Sequence, residues 1–314
     1  ARTDAQRLNA PVVEINLTQR VDFSNPSRDQ AVDVQQIRLR GQVTMENRAF
    51  DGEQLASIDQ MLVRELTINQ RTGALTADGP GWMKTVRRGG DIGPSNFAGP
   101  AFGGASEQLQ EENSKLSYLR VTFQTRLTGN VHQRHLQMHE GVRAVYGPVH
   151  RWDDTIDPDL ALQNESSVVL LTSDSLQVAE MGRRTSGPDE ASALGPVELQ
   201  ALGNAMVEGS AFTARAHRIA YAQAKDLLVM EGDGRTDAEL YRQTSVGGQT
   251  GRASARKILY WPGSGRMDID TFNSLDWSGV PASTGGGNAL PQGARDYLRR
   301  ERESQPQRLS TPPR

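Results

Sequence analysis

Cysteine is missing from all 314 residues. That excludes disulfide frameworks, thiolate metal sites and cysteine nucleophiles, and it leaves cytoplasm, periplasm and cell surface equally open. Long apolar runs are missing too. Leu227-Leu228-Val229-Met230 is typical of the longest, far below the roughly 18–20 residues of a membrane helix, so the chain is not expected to span a membrane. No charge of one sign prevails: the net charge is -3 and the pI is about 6.0. A global basic field addressed to nucleic acid is therefore absent. Arg295, Arg299, Arg300, Arg302, Arg308 and Arg314 cluster near the end, but acidic residues interrupt them and they read as a solvated tail. The sequence opens at Ala1 with neither an initiator Met nor a signal peptide, as expected of a processed form or a piece of a longer protein.

What is abundant is turn chemistry and alternation. There are 31 glycines and 15 prolines, which suits many short connections. Apolar residues make up 36% and charged residues 23%, and the mean hydropathy is -0.58, polar but not so polar as to prevent a core. From Val197 to Val207 the odd positions are Val, Leu, Ala, Gly, Ala and Val, with mostly polar residues between them. That is a strand with one dry face. Val13–Leu17 and Leu119–Gln124 alternate in the same way. Helix is expected only over 105–118 and 294–304, and loops over 88–104, 151–167, 182–196 and 279–293.

The most informative feature is internal repetition. Ala214-Arg-Ala-His-Arg-Ile-Ala-Tyr221 matches Ala253-Ser-Ala-Arg-Lys-Ile-Leu-Tyr260, both Ala-x-Ala-x-x-Ile-x-Tyr. Looser copies run over 56–63 and 171–178. Inward positions at i, i+2, i+5 and i+7 do not form one helix face. On a strand they mean that alternation slips by one residue midway, as a β-bulge or kink permits. A second element, Gly followed by a polar residue, neighbours these copies at Gly41-Gln42, Gly129-Asn130, Gly203-Asn204 and Gly232-Asp233.

The pairing of Leu202-Gly-Asn-Ala-Met-Val207 with Phe212–Tyr221 and Leu227–Gly232 resembles the OstA-like (LptA-like) family of bacterial lipopolysaccharide-transport proteins. The likeness covers roughly residues 170–275 and, more loosely, 31–87. It implies an all-β jellyroll of stacked antiparallel strand pairs in two repeat units, enclosing an apolar lumen for acyl chains. On that reading 1–30 is an N-terminal strand segment, 31–87 the first repeat unit, 88–118 a linker, 119–278 the second β unit, and 279–314 a linker and tail. The resemblance further implies a non-enzymatic protein of the bacterial periplasm or cell envelope that binds or conveys lipid of the lipopolysaccharide kind. Its expected partners are lipid, envelope proteins or copies of itself joined by β-augmentation; no cofactor is expected. A structural β scaffold assembling with itself or with an envelope complex is the alternative.

Other chemistry is weakly supported. His132, His135 and His139 fall close together, but strand spacing sends the first two to opposite faces and separates the last two by about 13 Å, so no metal site is expected. The acidic run Asp153, Asp154, Asp157 and Asp159 lacks the glycine and terminal glutamate of a calcium loop and reads as a turn. Gly79–Thr85 has Met83 where a phosphate loop needs glycine. No Gly-x-Ser-x-Gly elbow is present, and no catalytic residue is assigned. The remaining candidates are the inward residues of the repeat: Ile58, Met61, Val63, Leu171, Leu176, Val178, Phe212, Ile219, Tyr221, Ile258 and Tyr260. They form either a self-packed core or the lining of a lipid groove.

Overall fold

Among the described residues every element longer than one turn is a β-strand, and the strands join in one antiparallel sheet. The computed structural model describes residues 5–19, 33–88, 116–158, 168–180, 197–209, 212–243, 250–261, 264 and 266–276. In chain order the strands are β1 (Ala5–Asn9), β2 (Val12–Leu17), β3 (Val34–Asp51), β4 (Gln54–Asn69), β5 (Ala74–Asp78), β6 (Gly81–Arg88), β7 (Leu116–Phe123) and β8 (Arg126–Asn130). They continue as β9 (His135–Val149), β10 (Val169–Glu180), β11 (Val197–Glu208), β12 (Phe212–Ala222), β13 (Leu227–Glu231), β14 (Ala238–Gln243), β15 (Thr250–Trp261) and β16 (Arg266–Asp276). The expected helix at 294–304 lies outside the described residues, as does most of 105–118. Leu116–Tyr118 belong to β7 instead.

The long strands are each shared between two ladders. One half of β4 pairs with β5 and the other half with β6. β9 divides likewise between β8 and β7, β12 between β13 and β14, and β15 between the same two. One ladder therefore runs β2–β3–β4–β5–β8–β9–β10–β11–β12–β13–β15–β16. The other runs β1–β3–β4–β6–β7–β9–β10–β11–β12–β14–β15–β16. Because β6 pairs with β7 from Gly81↔Phe123 to Arg88↔Leu116, the sheet is continuous across the segment read as a linker.

The bends between the ladders follow two sequence patterns. In β3, β9 and β11 the bend is a pair of residues in the left-handed region: Gly41 (φ 85°) with Gln42 (φ 68°), Glu140 (φ 61°) with Gly141 (φ 55°), and Gly203 (φ 75°) with Asn204 (φ 47°). Facing strands cross the bend with one residue fewer. Leu202↔Arg218 and Ala205↔Ala216 enclose two residues of β11 but only His217 of β12. Inward positions are consequently spaced by three across the bend in β12 (Ala216, Ile219) and by four in β11 (Ala201, Ala205). This is the slip expected from Ala-x-Ala-x-x-Ile-x-Tyr, and it has a complementary partner strand that the repeat alone did not reveal. The other two Gly-polar pairs do different work. Asn130 and Asp233 accept backbone N–H groups in tight turns, Asn130 from His132 and Gln133, Asp233 from Arg235 and Thr236, which holds the Asp233 carboxyl down to about 2.

On the outward face beside the bends, opposite charges meet across several strand pairs. Arg40 lies 3.1 Å from Glu14 and 3.6 Å from Glu65, and Arg126 lies 3.6 Å from Asp78. At the other end of the sheet Glu231 sits 2.6 Å from both Arg218 and Lys257. Directly paired opposite charges favour this register over a one-residue slip, which would turn them into the apolar interior.

A second, smaller apolar cluster covers the outward face of β6, β7 and β9. Val86, Leu116, Tyr118, Val145 and Val149 meet Ile156, Val168 and Leu170, with Trp152 packed alongside. Residues 150–158 are therefore a strap held against the outward face of the sheet, and Asp159 with the rest of the expected loop to 167 lies outside the described residues. Asp154 accepts the N–H groups of His150 and Arg151 at 3.1 and 2.9 Å, and Lys84 Nζ donates to the Asp154 carbonyl at 3.2 Å. Glycine is needed below the strap: a Cβ on Gly147 would meet Val168 at 2.9 Å and Ile156 at 3.0 Å.

Candidate functional site

Cross-strand register places apolar side chains in unbroken rows on the inward face. Nearest the bends, one row reads Leu39, Leu66, Ala77, Leu127, Met138, Leu176, Ala201, Ile219, Met230 and Ile258. Each of these ten residues is at most 2% exposed. In the second ladder the corresponding row is Leu8, Met45, Met61, Met83, Val121, Ala144, Leu171, Val207, Ala214, Leu240 and Ala253. Alternation explains each row, since every second residue of a strand faces the same way. The two ladders face each other across this interior. Phe212 of one and Tyr260 of the other bring their ring centroids to 6.4 Å with the planes tilted by 44°, within the range of favourable aromatic pairs.

The interior is not filled throughout. A cavity of about 60 Å³ opens between the ladders. From one ladder come Leu119, Val121, Ala144, Tyr146, Val169, Leu171 and Val207; from the other come Leu176, Val178, Leu199, Ile219, Tyr221 and Leu228. Tyrosine hydroxyls are the only side-chain polar atoms in that set of thirteen. Such a surface cannot activate water or bind a charge, but it accommodates hydrocarbon, because an apolar cavity stays dry and takes an apolar guest. No group of three or more metal-ligating side chains comes together among the described residues. His135 and His139 lie along β9, whereas His132 sits in the turn before it.

Ten of the eleven residues singled out in the sequence belong to this interior. Met61, Val63, Leu176, Phe212, Ile219, Tyr221, Ile258 and Tyr260 are buried in its core, and Leu171 and Val178 pack against it. Five of them, Leu171, Leu176, Val178, Ile219 and Tyr221, line the cavity itself. Ile58 does not join them: it pairs with Val86, whose side chain lies in the outward cluster. The reason is the position of the bend in β4. Val63↔Val43 and Glu65↔Arg40 place it at Arg64, so the copy of the motif is Met61-x-Val63-x-x-Leu66-x-Ile68. Simple alternation then puts Ile58 on the face opposite Met61.

Eight cavity residues were not singled out beforehand, among them Val121, Ala144, Leu199 and Val207. Leu119–Gln124 and Val197–Val207 do show clean alternation, but they lie outside the Ala-x-Ala-x-x-Ile-x-Tyr copies from which the candidates were drawn. No protein-family model matches the chain, and no curated protein matches it.

Proposed function

We propose that this protein is a non-enzymatic lipid-binding protein of the bacterial cell envelope, of the OstA-like jellyroll kind, that holds an acyl chain between its two ladders in the periplasm. The observation that carries this reading is the cavity of about 60 Å³, lined by thirteen residues with no charged side chain among them. A soluble domain ordinarily closes its core at crystal-like density. Here small side chains such as Ala144 and Val121 leave room at the centre, where Leu or Met would fill it. The bent, doubly laddered sheet and the resemblance of residues 170–275 support the family assignment. In this reading the alternative states of the inward residues are not exclusive: packed rows fix the sheet, and a gap in one of them receives the ligand.

Two measurements test it. Native mass spectrometry of protein purified without detergent is expected to show bound lipid, and a fluorescent fatty acid is expected to bind and be displaced by unlabelled chains. Ala144→Leu, which extends into the cavity, should lower that affinity at least about tenfold, since each excluded methylene forfeits about 0.8 kcal/mol. Ile219→Arg should abolish uptake outright, although an unpaired buried charge also threatens folding. Absence of lipid from the native protein, together with no fatty-acid binding, defeats the reading.

A scaffold role has its own supporting observation. Leu8, Val13 and Ile15 are 41%, 54% and 54% exposed although they sit in register with inward-facing residues. The apolar interior thus emerges at the β1–β2 end, where strands of a second copy could continue it by β-augmentation.

A further inference from the structure

The cavity ends where a line of methionines begins. In the ladder that contributes Val121, Ala144, Leu171 and Val207 to its lining, the next residues in the same cross-strand row are Met83, Met61 and Met45, directly opposite one another on β6, β4 and β3. Met83 faces Val121 across the β6–β7 pair. Beyond Met45 the row reaches Leu8, 41% exposed at the open end of the sheet. The opposite boundary is of another kind. Tyr260 stands opposite the lining residue Leu228 in the β13–β15 pair, and its ring meets that of Phe212 at 6.4 Å.

Three consecutive methionines in one row are well suited to a wall that yields. The side chain is unbranched, has three rotatable bonds and a polarizable sulfur, and refills irregular space at little cost. A cavity of about 60 Å³ accepts only a short run of methylenes, so a longer chain must displace one of its boundaries. Two aromatic rings tilted against each other resist that displacement; methionines do not. Met61 is 4% exposed, and Met45 and Met83 are half-buried, so past Met61 the row leads through Met45 toward the open end.

From this geometry we infer that Met83, backed by Met61 and Met45, is an adjustable end wall that sets the length of apolar chain the cavity accepts. The inference rests on the lipid-binding reading above and adds to it a specificity-determining position. Shortening Met83 extends the cavity toward β4; replacing it does not alter the residues that line the existing space.

The test uses the full chain and a series of straight-chain saturated fatty acids of stepwise increasing length, with dissociation constants measured for the native protein, Met83→Ala, the milder Met83→Val and the control Ile58→Ala. Ile58 lies on the opposite face of the same sheet. Cooperative thermal unfolding selects the Met83 variant to be read. In that variant the tightest-binding length is expected to increase by about two methylenes, with affinity for the longer acids rising about fourfold per methylene accommodated. The control is expected to keep the native profile. A native protein that binds no fatty acid of any length overturns the lipid-binding reading and the wall with it. Binding by the native protein with the same length optimum in the Met83 variant overturns the wall alone, as does an equal shift in Ile58→Ala.

Discussion

Glu231 shows how single residues hold the outward face of the sheet. Burial alone would push its carboxyl up, but hydrogen bonds and charge from Lys257 and Arg218, both 2.6 Å away, outweigh this and bring it below the ordinary 4.5. A carboxyl lowered on folding stabilises the folded state above its unfolded pKa, and that contribution disappears as the pH falls through the lowered folded value. Glu231→Gln should therefore cost about 1–2 kcal/mol near neutral pH, since the half-buried Arg218 and Lys257 then face a neutral amide. Urea unfolding at pH 7 and at a series of acid pH values checks both parts: the gap between variant and native protein should narrow below pH 4.5. Gly203 carries a different burden. Its φ of 75° is one that side chains avoid, and a Cβ there would collide with the Asp174 carboxylate. Gly203→Ala should cost about 1–3 kcal/mol by the same unfolding measurement. The displaced Asp174 would also lose the 2.9 Å hydrogen bond it accepts from Asn204.

Among elements, the bent strands explain what was legible and what was not. A gap of three between inward residues is visible in sequence because Ala214–Tyr221 and Ala253–Tyr260 carry the same Ala, Ala, Ile and Tyr at the inward positions. The strand state and inward face of β12 and β15 could be read from that gap alone. The complementary gap of four in β3, β9 and β11 carries no shared side chains, only two left-handed residues whose order changes from Gly-Gln to Glu-Gly. That variation hid the inward register of β9, and with it Ala144 and Tyr146 of the cavity. It also displaced the expected copy in β4 by five residues, from 56–63 to 61–68, which is why Ile58 was assigned to the wrong face. The strap was illegible for another reason. Its aspartates dominate the composition, while the residues that bury, Ile156 and Val168, are single apolar side chains without period. Ile156→Ala should cost about 2–3 kcal/mol, at the lower end for a buried aliphatic residue because this cluster is small. Hydrogen exchange should quicken in residues 150–158 and at Val168–Leu170, while β11–β13 stay protected; uniform loosening of the whole sheet would refute the separateness of the outward cluster.

For the whole molecule the question is how a sheet with an apolar interior ends. Among the described residues nothing caps the interior at the β1–β2 end. Val13 pairs with Leu39 and Ile15 with Ile37, both inward-facing positions, yet Val13 and Ile15 are each 54% exposed. Leu8 continues the methionine row and is 41% exposed. Among the described residues β1 and β2 pair only with β3, leaving their outer edges free to take further strands. Soluble proteins generally blunt such edges with lysine, proline or a covering element. Among the described residues such devices include Pro11, packed where a Cβ on Gly41 would lie 3.2 Å away, and the Glu14–Arg40 pair at 3.1 Å. A second copy that adds its strands at this edge would bury Leu8, Val13 and Ile15 and supply main-chain hydrogen bonds along β2. Sedimentation velocity over a wide concentration range should therefore show reversible self-association of the native chain. The double variant Val13→Lys, Ile15→Lys should remain monomeric throughout, because edge lysines repel an incoming copy. Its unfolding midpoint should change by no more than about 0.5 kcal/mol in stability, as expected for exposed positions. A native chain that stays monomeric at every concentration, and that cross-links to no envelope protein in cells, would mean that this end is closed in some other way and that the protein works as an isolated unit.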